Sequence, residues 1–430
     1  MATKKRKSEI EDLRDETLTE ILVRLPVKSG HQCKLVSKRW LGLTSSKSFA
    51  LCHRKRHVNH TIDDEYNHIL LANYMINAPS NPCPLVREVH ALPKNQNQPL
   101  VSLDFLNQQW PMNLVLLVSN DLLLTVSLPS NLGVGGGPSL HLHVSNPLTK
   151  QSYRLPQPPP CFFDDNQRNP LIDFTGIICS VDDPTQYKVV LVKNSPRLIR
   201  RGCNIVRSSE ILDIYVFSSD TGGWCNFVVP SPPNFLAVSK ADEADGQYAT
   251  TLDGALYWCT NMIMVYNPFD RDNPDFIDLP QEAKIDEMYV EQRSLCIENV
   301  EQHLRLYHWH DITASTQTVT VWDLKDYSNG HATWNIKHFV DLTSINWQSA
   351  DVRMSIKGFD PFNGDVLYVY SEDHCLMAVN LRSKTVQLVS DFNSSVFSPI
   401  PSFRLFPYRP PLWPTPITNT AVAKDDHQDT

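Results

Sequence analysis

The chain has 430 residues, of which 41% are hydrophobic and 20% charged, a balance that excludes an unstructured polar chain and predicts a sizeable folded core. Its formal net charge is −8, but residues 1–57 alone hold 14 Lys/Arg against 6 Asp/Glu, so a basic head precedes an acidic body. No run reaches the roughly 18 apolar residues of a membrane helix, and 31 Pro against 15 Gly favour many strands joined by stiff turns over long helices.

The ten cysteines are scattered, with no CxxC pair. The start of the sequence carries no apolar leader, so the expected compartment is reducing, in the nucleus and/or cytoplasm. Lys4, Lys5, Arg6 and Lys7 form a run of like charges. Their mutual repulsion predicts a solvated tail over 1–8, and the run is also a candidate nuclear signal.

From Leu13 the pattern becomes helical. Leu18, Ile21, Leu22 and Leu25 share one face at i, i+3, i+4 and i+7, with Asp15 and Glu16 in the first turn, where the helix dipole favours acid. Pro26 ends that helix. A second short helix fits residues 28–35, and a third presents Trp40 and Leu43 on one side. Three helices in some 35 residues make a core too small to stand alone, so their apolar stripe must meet either the rest of the chain or a partner.

The run EILVRLPVKS (Glu20–Ser29), followed by CKLVSKRW (Cys33–Trp40) and a Ser-rich step to Phe49, resembles a plant-type F-box. The resemblance implies an all-α three-helix domain over 9–50 that binds the Skp adaptor and, through it, a cullin scaffold. It further implies adaptor-contacting or supporting roles for Leu13, Leu18, Ile21, Leu22, Leu25, Pro26, Val27, Cys33, Val36 and Trp40. Two residues depart from the family pattern. Arg14 replaces the usual proline of a leading Leu-Pro pair, a mild change. Gly30 replaces a leucine or similar residue; a helical glycine costs about 1 kcal/mol against alanine, and the absent side chain forfeits roughly 1.5–3 kcal/mol of burial. A weakened adaptor complex is the expectation.

Residues 51–66, with His53, Arg54, Lys55, Arg56, His57 and His60, read as a solvated basic linker. Without interleaved aromatics they give no nucleic-acid site.

A recurring unit follows: a short apolar strand, a turn rich in Asn, Asp, Pro, Ser and Gly, and a second strand. It occurs at 142–156, 214–230, 264–280, 319–342 and 376–392, with Val144, Val216, Val265, Val321 and Val379 spaced by 72, 49, 56 and 58 residues. Such periods approach those of propeller blades with long loops. Adding the N-terminal strands at 68–75, 100–106 and 113–125 predicts an all-β domain over 67–406 of six blades, with seven blades or a pair of β-sandwiches as alternatives. This region resembles the plant F-box-associated domains at SNDLLLT (119–125) and Asn146-Pro147-Leu148-Thr149, although Asp121 stands where those domains usually have glycine. The resemblance implies a target-binding domain. Residues 403–406 are expected to close the ring, leaving 407–430 as a disordered tail.

No catalytic constellation emerges. His308 and His310, and likewise His141 and His143, share a strand face at i, i+2, but neither pair has a second ligand pair at zinc spacing. The glycine-rich stretch 133–138 lacks the Lys-Ser/Thr of a phosphate loop. The expectation is a non-enzyme with no cofactor or metal: the substrate-recognition subunit of a Skp–cullin–F-box ubiquitin ligase with an unknown protein target, and no nucleic-acid or membrane partner. A scaffold or decoy without ligase activity is the alternative.

Overall fold

The computed structural model describes residues 10, 12–25, 27–57, 68–74, 86–92, 105, 113–127, 141–158, 174–183, 185–201, 204–232, 235, 247–270, 273–283, 294–313, 316–328, 331–342, 345, 354–371, 375–391, 402–408, 413–415 and 417. Four helices open the chain: α1 (Asp15–Leu22), α2 (Val27–Cys33), α3 (Lys38–Thr44) and α4 (Lys47–His57). The fourth runs through the expected 50/51 boundary, so the stretch read as a linker begins as helix. None of the described helices is long and apolar enough to cross a membrane.

Strands make up the rest. β1 (His68–Tyr74) and β2 (Val86–Leu92) are followed by a first blade of β3 (Asn113–Ser119), β4 (Leu122–Ser127), β5 (His141–Asn146) and β6 (Gln151–Arg154). The second blade holds β7 (Phe174–Cys179), β8 (Tyr187–Arg201), β9 (Asn204–Ser218) and β10 (Gly223–Pro230), with β11 (Gln247–Tyr248) added parallel to β7. The third comprises β12 (Thr250–Leu252), β13 (Ala255–Cys259), β14 (Met262–Tyr266) and β15 (Asp275–Asp278). The fourth comprises β16 (Ser294–Val300), β17 (His303–Thr313), β18 (Thr316–Ser328) and β19 (His331–Asp341). The fifth comprises β20 (Met354–Asp360), β21 (Asn363–Ser371), β22 (Cys375–Asn380) and β23 (Thr385–Asp391).

The expected six or seven blades are therefore corrected to five. The recurring unit in the sequence is the third-and-fourth-strand hairpin of a blade, and its five copies fall one per blade, at β5–β6, β9–β10, β14–β15, β18–β19 and β22–β23. The N-terminal strands add no full blade. Residues 113–125 are the first hairpin of the first blade, and residues 100–106 lie almost wholly outside the described residues. β1 pairs instead with β2 and with β24 (Ser402–Tyr408) in a three-stranded sheet that joins the two ends of the propeller. Ring closure by residues 403–406 is as expected, since pairing the terminal strand removes an exposed edge.

Apolar side chains fill the spaces between neighbouring sheets. Leu124, Val144, Val189 and Phe217 lie between the first two blades, and Ile214, Leu256, Trp258 and Met264 between the second and third. Trp322 and Ile263 join the third to the fourth, and Val319 and Leu367 the fourth to the fifth. Polar bridges add direction: the Trp258 indole donates to the Thr175 carbonyl at 3.2 Å, and Asn299 donates to the Thr251 carbonyl at 2.8 Å.

The turns follow their residues. Asn146 accepts from the backbone N–H of Leu148 at 2.9 Å, Asn267 from Phe269 at 3.0 Å and Asn380 from Ser383 at 2.8 Å, so one asparagine turn recurs between third and fourth strands. Asp253 and Gly254, at φ 47° and 76°, make the two-residue turn between β12 and β13.

One buried acid gives a pH-dependent prediction. Glu298 is half-buried by surface area, but its carboxylate is enclosed, accepting from the Tyr307 hydroxyl at 2.9 Å and the Phe359 N–H at 2.8 Å. Desolvation outweighs these bonds and pushes its pKa up to about 7 from an ordinary value of 4.5. The folded state therefore holds a proton that the unfolded chain has lost. The stabilisation is complete below the ordinary value and disappears as pH rises through about 7. Glu298→Gln, which mimics the protonated acid, is expected to flatten the dependence of the urea midpoint on pH across that window; an unchanged slope would contradict the assignment.

Candidate protein-docking surface

The helical head is built around Leu18, Leu22, Val23, Phe49 and Ala50, all buried, with Leu25, Cys33, Trp40 and Leu43 packed at the edge. Arg14 stands just before α1 at φ −68°, close to the angle a proline would impose. Its substitution therefore costs the helix start little. Asp15 and Glu16 occupy the first turn as expected. Ser37 caps α3 by accepting from the Trp40 N–H at 3.2 Å. Arg39 ties α3 to the start of α1 through Asp15 at 2.7 Å and the Leu13 carbonyl. Glu20 receives Arg24 at 2.8 Å and Arg56 at 3.1 Å, linking α1 to α4. Arg24, Arg39 and Arg56 thus form ion pairs within the head.

The residues expected at the adaptor surface divide into three sets. Leu18 and Leu22 are buried inside the head, where they hold the helices together. Leu13, Leu25, Cys33 and Trp40 are half-buried at its edge. Ile21 and Val36 are exposed, the latter at 60%. Pro26, the Val27 side chain and the Lys4–Lys7 run lie outside the described residues.

The head exposes further apolar side chains beyond those the resemblance implies: Ile10, Leu35 at 88% and Leu41. Leu35 and Val36 sit on the turn between α2 and α3, held by backbone bonds from Leu35 N–H to the Gln32 carbonyl and from Val36 N–H to the Cys33 carbonyl. Neither side chain is needed for the internal core. Leu35 lies inside the CKLVSKRW run, and the signal that could have found it is an apolar pair placed after the last helical turn rather than within it.

Gly30 is covered from within the chain. The ring of Trp413 lies over it, packed on Phe49 and His53 at centroid distances of 4.9 and 5.0 Å. Trp413 and Thr415, expected in a disordered tail, are instead buried at 6% and 2% exposure, the indole in the slot that a glycine on α2 leaves and the threonine against Asp121.

On the propeller, the turns that end the inner strands surround a depression of about 230 Å³, lined by Ser119, Asn120, Val181, Asp253, Gln302 and Pro361 among others. No group of three or more His, Cys, Asp or Glu side chains able to hold a metal exists among the described residues. His143 is buried against the Ser127 hydroxyl at 2.9 Å, with burial lowering its pKa to about 4. His141 contacts Arg154 and Gln157. His308 is buried, and the His310 side chain and residues 133–138 lie outside the described residues.

Residues 91–398 match the family model described as "F-box protein At3g26010-like, beta-propeller". Two relatives from Arabidopsis thaliana align over nearly the whole chain. "Putative F-box/kelch-repeat protein At4g22430" is 24% identical over 391 residues, covering 89% of this chain and 81% of the relative. "Putative F-box protein At3g23950" is 21% identical over 387 residues, covering 87% and 84%.

Proposed function

This chain belongs to the At3g26010-like β-propeller family of F-box proteins, and from that premise we propose that it is the substrate-recognition subunit of a Skp–cullin–F-box ubiquitin ligase. The head docks the Skp adaptor, the propeller holds a protein target, and the chain contributes proximity rather than chemistry, in the nucleus and/or cytoplasm. It needs no cofactor, nucleic acid or membrane. The observation that carries the reading is the exposure of Ile21, Leu35, Val36 and Leu41 on a head whose own core is built without them. Four exposed large apolar side chains on so small a helical unit are what a partner surface would cover.

The target side follows from topology. The head meets the propeller at the turn between β7 and β8, through the Lys47–Asp183 ion pair. The opposite ends of the same strands carry the long β8–β9 hairpin, which pairs out to Arg201 and Asn204, well beyond the residues that β7 and β10 cover. That hairpin and its neighbours form the target face. A non-ligase scaffold drew its support from Gly30, a position that the Trp413 indole covers from within the chain. Reconstitution with a plant Skp adaptor, cullin and ubiquitin-charged enzyme is the test. Ubiquitin transfer to proteins held by the propeller is expected, and recruitment of adaptor without cullin would overturn the ligase role.

A further inference from the structure

Two places where the chain departs from the patterns it resembles, Gly30 in the head and Asp121 in the propeller, meet opposite ends of one short segment, Trp413–Thr415. A Cβ on Gly30 would lie 2.8 Å from Cζ3 of Trp413 and 3.3 Å from its Cη2. Only a glycine therefore admits the indole at this depth. The Lys34 ammonium stands 5.0 Å from the centre of the same ring, adding a cation–π contact. Two residues further on, the Thr415 N–H and hydroxyl donate to the two carboxylate oxygens of Asp121 at 2.8 and 2.6 Å. The Asn146 amide donates both to Asp121, at 2.6 Å, and to the Thr415 carbonyl, at 2.8 Å. Asp121 and Asn146 are fully buried. A buried carboxylate is tolerated when donors surround it, and here the Thr415 backbone and side chain supply two of them.

We infer that Trp413–Thr415 is a clasp that fastens the helical head to the first blade and so fixes where the adaptor-docking side chains stand relative to the target face. One end fills the head at Gly30; the other is anchored at Asp121. The Lys47–Asp183 ion pair also joins the two parts, with the lysine half in solvent, where an ion pair holds less firmly than a filled apolar slot. The functional consequence rests on the proposed ligase reading, because ubiquitin transfer depends on the placement of the target. The clasp itself does not.

The test uses the full chain without any adaptor. A zero-length carbodiimide cross-link between Lys47 and Asp183, quantified by mass spectrometry, reads contact between head and propeller. Hydrogen exchange reads the order of α1–α4. In Trp413→Ala the cross-link is expected to fall at least fivefold and exchange in 15–57 to rise about tenfold, with the propeller strands unchanged. Thr415→Val, which keeps the size of the side chain, and Gly30→Leu, which expels the ring from the other side, are expected to reproduce the effect if Trp413→Ala is insoluble. A cross-link and exchange pattern unchanged in the soluble variants would overturn the clasp. Adaptor binding is measured separately: if the native chain fails to bind, the docking role falls while the clasp result stands.

Discussion

Leu35→Asp/Val36→Asp is expected to lower the affinity for a Skp adaptor by about 100-fold or more, the loss that removal of two apolar anchors from an interface centre produces. The thermal midpoint of the isolated protein should not move, since both side chains stand in solvent and neither touches the cluster of Leu18, Leu22 and Phe49. Leu18→Ala gives the opposite pattern. That change excavates the internal core and should cost roughly 2–5 kcal/mol of head stability, weakening adaptor capture only through unfolding. Affinity measured alongside a melting curve separates the two. Equal adaptor binding by the double variant and the native chain would remove the exposed pair from the interface.

Asp323→Ala is expected to be among the most damaging single changes in the propeller, costing about 3–5 kcal/mol, because it strands a buried guanidinium. Arg305 is 1% exposed. It donates to Asp323 from Nε at 2.7 Å and Nη2 at 3.0 Å, and to the Gly364 carbonyl at 2.6 Å across the boundary between the fourth and fifth blades. The Phe359 ring lies 4.8 Å away on the face of the guanidinium. Arg305→Met removes the charge together with its need for a partner and should cost clearly less, despite deleting the same ion pair. Urea titrations of the two variants decide the matter, and a larger cost for Arg305→Met would show that the bridge between blades, rather than charge satisfaction, dominates.

The parts of the architecture legible in the sequence were those with local causes. The asparagine turns at Asn146, Asn267 and Asn380 depend on a side chain reaching its own backbone two or three residues on, and three of the five recurring hairpins carry one. Blade number was not legible in the same way. β1 finds its partner in β24, more than 300 residues away, and no local signal distinguishes such a strand from the first of another blade. The head shows the same division. The helical spacing of Leu18 and Leu22 correctly marked an apolar face, but spacing alone does not say which side chains a small core keeps and which it leaves for a partner. Gly30 is the sharpest case. Read alone it is a missing contact, and only the return of Trp413 from the far end of the sequence shows it to be a receptor for one. Asp121 is its counterpart, an acid at a turn until Thr415 and Asn146 surround it.

Whether the head is an adaptor-docking module is decided by a titration of the purified full chain with a plant Skp adaptor, followed by hydrogen exchange on the complex. Saturable one-to-one binding is expected, with new protection at Ile21, Leu35, Val36 and Leu41 and none on the propeller face that carries the β8–β9 hairpin. Absence of binding, or protection confined to the propeller, would contradict the docking role.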